Sequence, residues 1–516
     1  MNNAGLAMEA PKLGFMPKLW FGVGQAAEGM KNASFNTFLL LYYSQVLGLN
    51  PALAGAVLLI ALVFDAVTDP LTGSISDTWR GRFGRRHGFM YAATLPMAVT
   101  FYFVWSPPAG LGQAGLFGWM LVWTVLARGA MTLYHVPHLA LGAELSDDYA
   151  ERSRVVAYRV FFGFVGAASI FVIARTSLML PSEAFPEGQL NPAAYPPLGL
   201  YFGIAMGVLI FLSAIGTHAR IPYLKKPSGG EDRFSLARLW RDVVAALRNP
   251  SFQPFFGGIF LFFIARGVDN GLGLYMGTFF WKLGSDAVLL PAVGLFGVLF
   301  GTPVFALLAG RMEKKTMFLL GIIGFSLLTM APPIAKLVAW FPAHSSPVYL
   351  TTLYSLSFAA SFFAAAPLVT AGSMLADVAD EHELDTGRRQ EGIFFGALSF
   401  SSKSSAGIGS ALAGLALWLI SFPTQAEVEA VPQATVTWLA LIYGPGVLAM
   451  VVVSIVWLSR YGLTRARHAE IREMLDERNA LALGVEEAPA EEVSSRRTAV
   501  TAREKRRWRW RGSRSG

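Results

Sequence analysis

The chain contains no cysteine and few charged residues, and both shortages narrow the possible classes of protein. Without cysteine, disulfides, thiolate metal sites and cysteine nucleophiles are excluded. Charged residues make up 15% and hydrophobic residues 54% of the 516 residues, whereas soluble domains carry roughly 25% charged residues. Much of the surface is therefore expected to face lipid. The H-E-x-x-H, phosphate-loop and serine-nucleophile motifs are also missing, so we expect neither a cofactor nor an enzyme.

The net charge of +8 is concentrated towards one end of the chain. From Arg460 onward there are 14 Arg and Lys residues against 9 Asp and Glu residues. Such a tail is typical of a membrane protein beside an anionic leaflet, and it gives no reason to expect a nucleic-acid partner. The N-terminal stretch MNNAGLAMEAPKLGFMPK lacks the apolar core of a signal peptide, so the first apolar run is predicted to be a permanent span.

Twelve stretches of the sequence match the ~20 predominantly apolar residues that a membrane-spanning helix needs. Arginine and lysine are frequent in every second connecting loop and nearly missing from the others, which predicts that both termini are cytoplasmic. The predicted fold class is an all-α membrane protein with twelve transmembrane helices in two six-helix bundles. The predicted spans are 19–47, 51–76, 89–107, 114–144, 156–180, 199–217, 253–281, 286–309, 316–340, 348–376, 391–421 and 436–459.

The longest predicted cytoplasmic segment between two spans divides the chain into halves. We predict an N-terminal six-helix bundle over 1–217 and a C-terminal six-helix bundle over 251–460. The segment 218–250 is predicted to be a cytoplasmic linker with an amphipathic helix at the membrane surface. Residues 461–516 are predicted to form a basic cytoplasmic tail, helical at first and disordered in part.

Two carboxylates interrupt the second apolar run. Asp65 and Asp69 are four residues apart, so they share one helix face with Cβ atoms ~5–6 Å apart. A charge at membrane depth costs ~2.5–3.5 kcal/mol, and two like charges repel unless a cation lies between them. Oxygen ligands suit Na⁺ or a proton, and the Thr68 hydroxyl lies near the same face. We therefore predict a coupling-cation site in the N-terminal bundle. The alternative is a structural pair neutralised by arginines of neighbouring helices.

Further polar groups lie at depth in other spans. His135, seven residues after Arg128 on roughly the same face, is predicted to contact substrate or to pack as a hydrogen-bonded residue, and both interpretations stay open. Lys403 has no acid on its own helix, so its expected partners are the helix-2 aspartates. Arg266 and Asp269 are three residues apart and are expected to pair with each other. The remaining ionisable or amide groups at depth include Glu28, Arg159 and Asn270.

Three stretches carry a resemblance to a known family. They are FDAVTDPLTGSISDTWRGRFGRR at 64–86, YHVPHLALGAELSDDYAERSRVVAYR at 134–159 and MLADVADEHELDTGRRQEGIFFGALSFSSK at 374–403. These stretches resemble the signatures of the glycoside-pentoside-hexuronide:cation symporters, which have the major facilitator fold. In that family the two helix-2 acids bind Na⁺, Li⁺ or H⁺. The resemblance implies a cation-binding set of Asp65, Asp69, Thr68 and Thr132, with the two acids as Na⁺ ligands if sodium is the coupling ion.

The same resemblance implies a place for the substrate. The family's helix-11 lysine matches Lys403, and its helix-5 arginine near the sugar matches Arg159. The helix-4 aspartate that holds sugar hydroxyls in galactoside carriers of the family corresponds to His135, and the tryptophan four residues later corresponds to Leu139. The galactoside pocket is therefore not implied. The YHVPH form is also similar to the FHVPY of animal sodium–lysophospholipid symporters. The candidate substrate-binding residues are His135, Arg159, Lys403, Glu28 and Asn270.

Together these patterns predict a multi-pass protein of the bacterial inner membrane that works as a cation-coupled secondary symporter. The expected cargo is a glycoside or other small sugar, moved by alternating access together with Na⁺ or H⁺. One alternative is a sodium-coupled transporter of lysophospholipids or similar amphiphiles, and another is a membrane-embedded enzyme with an aspartate dyad. The expected partners are the substrate, the coupling cation and the bilayer, with a monomer as the working unit. The residues predicted to latch the cytoplasmic side are Arg80, Arg82, Arg85 and Arg86.

Overall fold

The computed structural model describes residues 13–146, 148–224, 249–387 and 391–484. Every regular element in those ranges is a helix, which confirms the all-α prediction for them. Two predicted features lie outside the described residues. One is the amphipathic helix of the linker, which falls within 225–248, and the other is the basic end of the tail beyond 484.

Long helices make up the first half of the described chain. A π-helical turn, Tyr42–Val46, extends the first of them, and another, Ala174–Leu178, extends the fifth. The helices are α1 (Phe15–Leu41), α2 (Pro51–Thr78), α3 (Gly84–Val104), α4 (Gln113–Glu144), α5 (Tyr149–Ile173) and α6 (Tyr195–Thr217).

The second half of the described chain is built in the same way. A π-helical turn, Ile442–Gly446, joins its sixth and seventh helices into one rod. The helices are α7 (Phe252–Tyr275), α8 (Leu290–Ala309), α9 (Lys314–Leu337), α10 (Tyr349–Thr386), α11 (Glu391–Leu419), α12 (Gln433–Leu441), α13 (Val447–Ser459) and α14 (Arg465–Gly484).

Among the described residues, nine helical stretches are long and apolar enough to cross a membrane. They correspond to α2, to α4 through α10 and to the rod of α12 and α13. The helices α1, α3 and α11, which overlap three further predicted spans, are not in this group. α1 is less apolar because it carries Glu28, Lys31 and Asn32, and these side chains line cavities inside the protein.

Local sequence signals set several helix ends. α2 begins at Pro51, whose missing N–H is not needed in a first turn, and the Asn50 side chain accepts a hydrogen bond from Ala52 N at 2.9 Å. Asp148 caps α5 in the same way, accepting from Glu151 N at 2.8 Å. These caps fix where α2 and α5 start, and both helices carry residues of the predicted site.

Small residues bring the helices of each half together. α1 lies against α5, and α11 lies against α7. A Cβ atom added to Gly29 of α1 would lie 2.1 Å from the carbonyl oxygen of Gly163 in α5, and one added to Gly409 of α11 would lie 2.4 Å from the Cα of Gly267 in α7. Since small residues let helix backbones approach closely inside a membrane, these glycines are required for the packing of both bundles.

The two halves meet along α2 with α11, α1 with α7 and α5 with α8. They also close over one end of the molecule, which we call the closed end. There, Arg175 Nε donates to Asp286 Oδ1 at 2.8 Å, and Gln189 Nε2 donates to the Thr278 hydroxyl at 3.0 Å. Each of these contacts joins the first half to the second. The turns that form the closed end are 42–50, 174–194, 276–289 and 420–432.

The opposite end, which we call the arginine-loop end, contains the loop 79–83. α14 docks there on α10 of the second half: His468 Nε2 lies 2.9 Å from Asp380 Oδ2, and Ile471 and Leu475 are buried. The first part of the predicted tail is therefore a packed helix of the second half.

Candidate functional site

A central cavity of about 690 Å³ lies between the two halves. Its polar lining comes mainly from α1, α4, α5 and α7, and its apolar lining comes mainly from α8, α9 and α10. Four of the five candidate substrate-binding residues line it: Glu28, His135, Arg159 and Asn270. The fifth, Lys403, does not, so the structure does not bring it to the cavity that the other four share.

A smaller cavity of about 180 Å³ lies beside the central one and contains the helix-2 acids. The two cavities share four lining residues, so they adjoin at those side chains. Those shared residues are Glu28, Asn32, Asn36 and His135. The rest of the smaller cavity is lined by Lys31, Asp65, Asp69, Arg128, Met131, Thr132, Ser402 and Lys403.

Asp65 is held by an arginine of α4. Arg128 donates to Asp65 Oδ2 from Nε at 2.7 Å and from Nη2 at 2.5 Å, and both side chains are 11% exposed. The other carboxylate oxygen, Oδ1, is buried and has no hydrogen-bond partner among the described residues. For Asp65 this is the contact expected in the alternative where arginines of neighbouring helices neutralise the helix-2 acids. The sequence signal for this pairing is the position of Arg128 inside an apolar helix, where a charge without a partner is costly.

Asp69 joins three helices. Thr132 of α4 donates its hydroxyl to Asp69 Oδ1 at 2.8 Å. The Lys403 ammonium of α11 forms a salt bridge with Asp69 Oδ2. This contact confirms the expectation that a helix-2 aspartate is the partner of Lys403, and it links the first half of the protein to the second.

Thr68 does not lie with the other members of the predicted cation-binding set. Its hydroxyl donates to the Phe64 carbonyl oxygen of its own helix at 3.0 Å, and it lines neither cavity. A threonine in a helix often bonds back to the carbonyl four residues earlier, and this bond takes up the hydroxyl. In this state Asp65, Asp69 and Thr132 are together and Thr68 is apart from them.

The α1 side chains that line the two cavities include a charged cluster. Glu28 accepts a hydrogen bond from Asn32 Nδ2 at 2.8 Å, and Lys31 Nζ lies 3.5 Å from Glu28. Glu28 Oε2 is buried and has no hydrogen-bond partner among the described residues. Lys31 and Asn32 follow Glu28 by three and four residues, so all three lie on one helix face. This spacing is the sequence signal that would have predicted the cluster.

The remaining predicted side chains also have defined partners. His135 Nε2 lies 3.4 Å from Gln25 Nε2, so His135 combines a polar packing contact with a place on both cavities. Arg266 and Asp269 form the predicted ion pair, and the Arg266 guanidinium lies 4.1 Å from the centre of the Phe325 ring.

The arginines that follow α2 make their observed contacts within the first half of the protein. Arg85 and Arg86 each lie 2.9 Å from Glu144 Oε1 of α4, and Arg86 also pairs with Asp77. Arg80 and Arg82 are exposed. Arg85 and Arg86 therefore tie α2, α3 and α4 together.

Among the residues that the structure describes, no group of three or more His, Asp or Glu side chains is arranged to hold a metal ion. The smaller cavity is instead lined by the carboxylates of Glu28, Asp65 and Asp69 and by the hydroxyls of Thr132 and Ser402. The two aspartates have Arg128 and Lys403 as counter-ions. The buried free oxygen of Asp65 fits a small hard cation or a proton, because such ions prefer oxygen ligands.

The protein-family comparison decides the class of protein. The family described as MFS/sugar transport protein matches residues 20–465. The chain belongs to this family. The resemblance to the glycoside-pentoside-hexuronide:cation symporters is thereby confirmed, and the alternative of a membrane-embedded enzyme is wrong, since the family consists of transporters. This member of the family is an integral, multi-pass protein of the inner membrane.

Several curated relatives match the chain over most of its length. A putative glycoside/cation symporter YagG of Escherichia coli is 24% identical over 91% of this chain and 97% of that protein. An isoprimeverose transporter of Lactiplantibacillus pentosus is 26% identical over 75% of this chain and 77% of that protein. A sodium-dependent lysophosphatidylcholine symporter 1-A of Danio rerio is 25% identical over 79% of this chain and 78% of that protein.

Solved structures show the same fold at low sequence identity. The nucleoside transporter NupG has a TM-score of 0.58 and 12% identity, covering 87% of this chain and 100% of that one. The inward-open xylose transporter XylE from E. coli has a TM-score of 0.57 and 13% identity, covering 87% of this chain and 96% of that one. These similarities establish the major facilitator architecture.

Proposed function

We propose that this transporter is a cation-coupled symporter of a glycoside or other small sugar. The observation that carries the proposal is the pair of adjoining cavities, which share Glu28, Asn32, Asn36 and His135. One cavity has the oxygen ligands for a cation, and the other has the size and the mixed polar and apolar lining of a small-molecule site. The relatives named as glycoside/cation symporter and isoprimeverose transporter support the same substrate class.

Asp69 is the centre of the proposed coupling mechanism. Its salt bridge with Lys403 connects α2 of the first half to α11 of the second, and its hydrogen bond with Thr132 connects it to α4. A coupling cation bound at Asp69 replaces the Lys403 ammonium as counter-charge and so releases one contact between the halves. Substrate in the central cavity contacts both halves, and the cation and the substrate then raise each other's affinity by the same factor.

The proposed topology has twelve membrane-spanning helices, with α1, α3 and α11 added to the nine apolar stretches and with both termini in the cytoplasm. The loop charges support this arrangement, because Arg80, Arg82, Arg85 and Arg86 then lie on the cytoplasmic side. The closed end then faces the periplasm. Residues 1–217 and 251–460 are the proposed bundles. One chain encloses both cavities, which supports a monomer as the working unit.

A sodium-coupled transporter of lysophospholipids is the second candidate. It is favoured by the relative from Danio rerio, which is named for lysophosphatidylcholine, and by the apolar residues that α8, α9 and α10 contribute to the central cavity.

Uptake into reconstituted vesicles tests the proposal. A panel of glycosides and lysophospholipids is offered under an inward Na⁺ gradient and then under an inward proton gradient. We expect uphill accumulation of a glycoside under one of the gradients, and we expect Asp69→Asn to abolish it. Asp377→Asn is the matched control, because Asp377 pairs with Lys314 outside both cavities. Unchanged uphill uptake by the Asp69 variant would contradict the cation assignment.

A further inference from the structure

The smaller cavity already contains as many positive as negative side chains. Its described lining includes three carboxylates and three Lys or Arg side chains, and each carboxylate forms an ion pair with one of the basic groups. A metal ion added to this set would give the cavity a net positive charge, which is costly inside a membrane. The three pairs are Asp65 with Arg128, Asp69 with Lys403 and Glu28 with Lys31.

Of these three basic side chains, Arg128 is held most firmly. It donates to Asp65 Oδ2 from Nε at 2.7 Å and from Nη2 at 2.5 Å, and its side chain is 11% exposed. The Lys403 side chain is 40% exposed, and the Lys31 ammonium lies 3.5 Å from Glu28. A guanidinium also loses less freedom per hydrogen bond than a lysine does, because its donors are fixed in one plane. Arg128 is therefore a resident counter-ion of Asp65.

The pair of Asp65 and Arg128 lies within one half of the protein. Asp65 belongs to α2 and Arg128 to α4, and these two helices pack against each other in the first half. The salt bridge of Asp69 with Lys403, in contrast, joins α2 to α11 of the second half. Movement of one half against the other therefore separates Asp69 from Lys403 but leaves Arg128 beside Asp65.

Few of the described carboxylate oxygens in the smaller cavity are left for a metal ion. Asp65 Oδ1 is buried and has no hydrogen-bond partner among the described residues, but its carboxylate already carries the two bonds from Arg128. Asp69 Oδ1 accepts the Thr132 hydroxyl at 2.8 Å, and Asp69 Oδ2 pairs with Lys403. Hard metal cations are held by several oxygen ligands at once. The helix-2 acids therefore do not fit Na⁺ while Arg128 is in place.

We propose that Arg128 makes this transporter reject sodium, because its guanidinium neutralises Asp65 and takes the place of a bound Na⁺. This inference rests on the proposed function, since it takes the smaller cavity as the coupling-cation site. It departs from the sodium binding that the family resemblance implies for Asp65 and Asp69. A Na⁺ gradient is therefore not expected to drive uptake by the wild-type protein.

Equilibrium binding of radioactive Na⁺ to the purified protein tests the inference, with choline chloride keeping the ionic strength constant. We expect Arg128→Gln to bind Na⁺ at least about tenfold more tightly than the wild-type protein does, which corresponds to ~1.4 kcal/mol. Arg128→Gln leaves the Asp65 charge without its counter-ion, so bound Na⁺ should also protect this variant from unfolding. The same concentration of NaCl should leave the unfolding of the wild-type protein unchanged relative to choline chloride.

Three further variants assign the effect to the charge of Arg128. Arg128→Lys keeps the charge and is expected to bind Na⁺ no more tightly than the wild-type protein. The double variant of Asp65→Asn with Arg128→Gln removes the carboxylate together with its counter-ion, and it should lose the Na⁺ binding gained by Arg128→Gln alone. Arg467→Gln is the charge-matched control, because Arg467 pairs with Glu470 on α14 and lines neither cavity.

The stability of the Arg128→Gln variant gives a second reading. The variant is purified in NaCl and then exchanged into choline chloride. The inference predicts that it is more stable in NaCl. If it unfolds equally in both salts, Na⁺ does not take the place of the guanidinium and the inference is overturned.

The outcomes separate this inference from the proposed function. If the wild-type protein binds Na⁺ as tightly as Arg128→Gln does, or if a Na⁺ gradient drives its uphill uptake, Arg128 does not exclude sodium, while the cation-coupled symporter stands. If neither a Na⁺ nor a proton gradient drives uptake of any glycoside, the proposed function fails, whereas the Na⁺ binding measurements still decide the role of Arg128.

Discussion

The ion pair between Asp65 and Arg128 gives a sharp test of how the charged network is held inside the protein. Both side chains are 11% exposed, and Arg128 donates twice to one carboxylate oxygen. Replacing one partner leaves the other charge buried without its counter-ion, whereas replacing both leaves neutral polar groups. We therefore expect Asp65→Asn and Arg128→Gln each to destabilise the protein, and the double variant to be more stable than either.

The expected magnitudes follow from the contact. Two unit charges ~4 Å apart at an effective dielectric constant of about 20 attract by ~4 kcal/mol. Removing one partner of a buried pair costs ~3–5 kcal/mol, whereas replacing the pair as a whole is often close to neutral. Each single variant should thus lower the free energy of unfolding by ~3–5 kcal/mol and the double variant by ~1–2 kcal/mol. The interaction free energy from the cycle should be at least ~4 kcal/mol.

Unfolding of the purified protein in mixed micelles, titrated with dodecyl sulfate and followed by helix content, measures these free energies. The pair of Arg467 and Glu470 on α14 is the control, because its side chains are 29% and 48% exposed. Its cycle should give ~0.5 kcal/mol or less, as for exposed helix pairs. If the effects of the Asp65 and Arg128 variants simply add, the two charges do not stabilise each other and the reasoning is refuted.

Three further predictions concern the site and the closed end. His135→Ala should weaken substrate binding about fivefold, the loss of one hydrogen bond of ~1 kcal/mol, and should alter cation affinity less; an unchanged substrate profile in binding assays would make His135 a packing residue. Lys403→Gln should raise the affinity for the coupling cation, measured by cation-induced protection from unfolding, because the salt bridge to Asp69 no longer competes; a lower affinity would show that Lys403 supports the site. Burial raises the pKa of Glu187 above its ordinary value of 4.5, and Glu429 and Glu427 act in the same direction. The Glu187 carboxyl therefore binds its proton more tightly while the closed end is closed than after it has opened. The stability of the closed end should therefore fall as pH rises through the raised pKa of Glu187. Hydrogen exchange of the closed end measures this stability, and Glu187→Gln should remove the pH dependence.

Sequence reasoning predicted the fold class and several contacts of the site because it used local and compositional signals. Long apolar runs have few alternatives to membrane helices, so helices α4 through α10 follow from the sequence. Spacing of three residues predicted the pair of Arg266 and Asp269. Charge compensation predicted that Lys403 needs an acid from helix 2, and Asp69 is that acid.

The placements that sequence reasoning did not specify depend on rotamers or on contacts between distant segments. Thr68 shares a helix with both acids, yet its hydroxyl bonds back to Phe64 O, a choice that sequence spacing does not reveal. Lys403 was expected at the substrate, but its salt bridge draws it into the smaller cavity. The partner of Asp65 is Arg128, which is 63 residues away in the sequence. The sequence contains several arginines at membrane depth, and composition alone does not show which of them pairs with Asp65.

The sequence by itself determined that this chain crosses a membrane through many helices and that it carries carboxylates and cations in the bilayer. Both conclusions rest on transfer free energies, which are properties of single residues and short runs. Only the tertiary structure decided which helix-2 acid pairs with which basic side chain of another helix, because these ion pairs depend on distances between helices that the sequence does not encode locally. That pairing places Asp69 at the contact between the two halves.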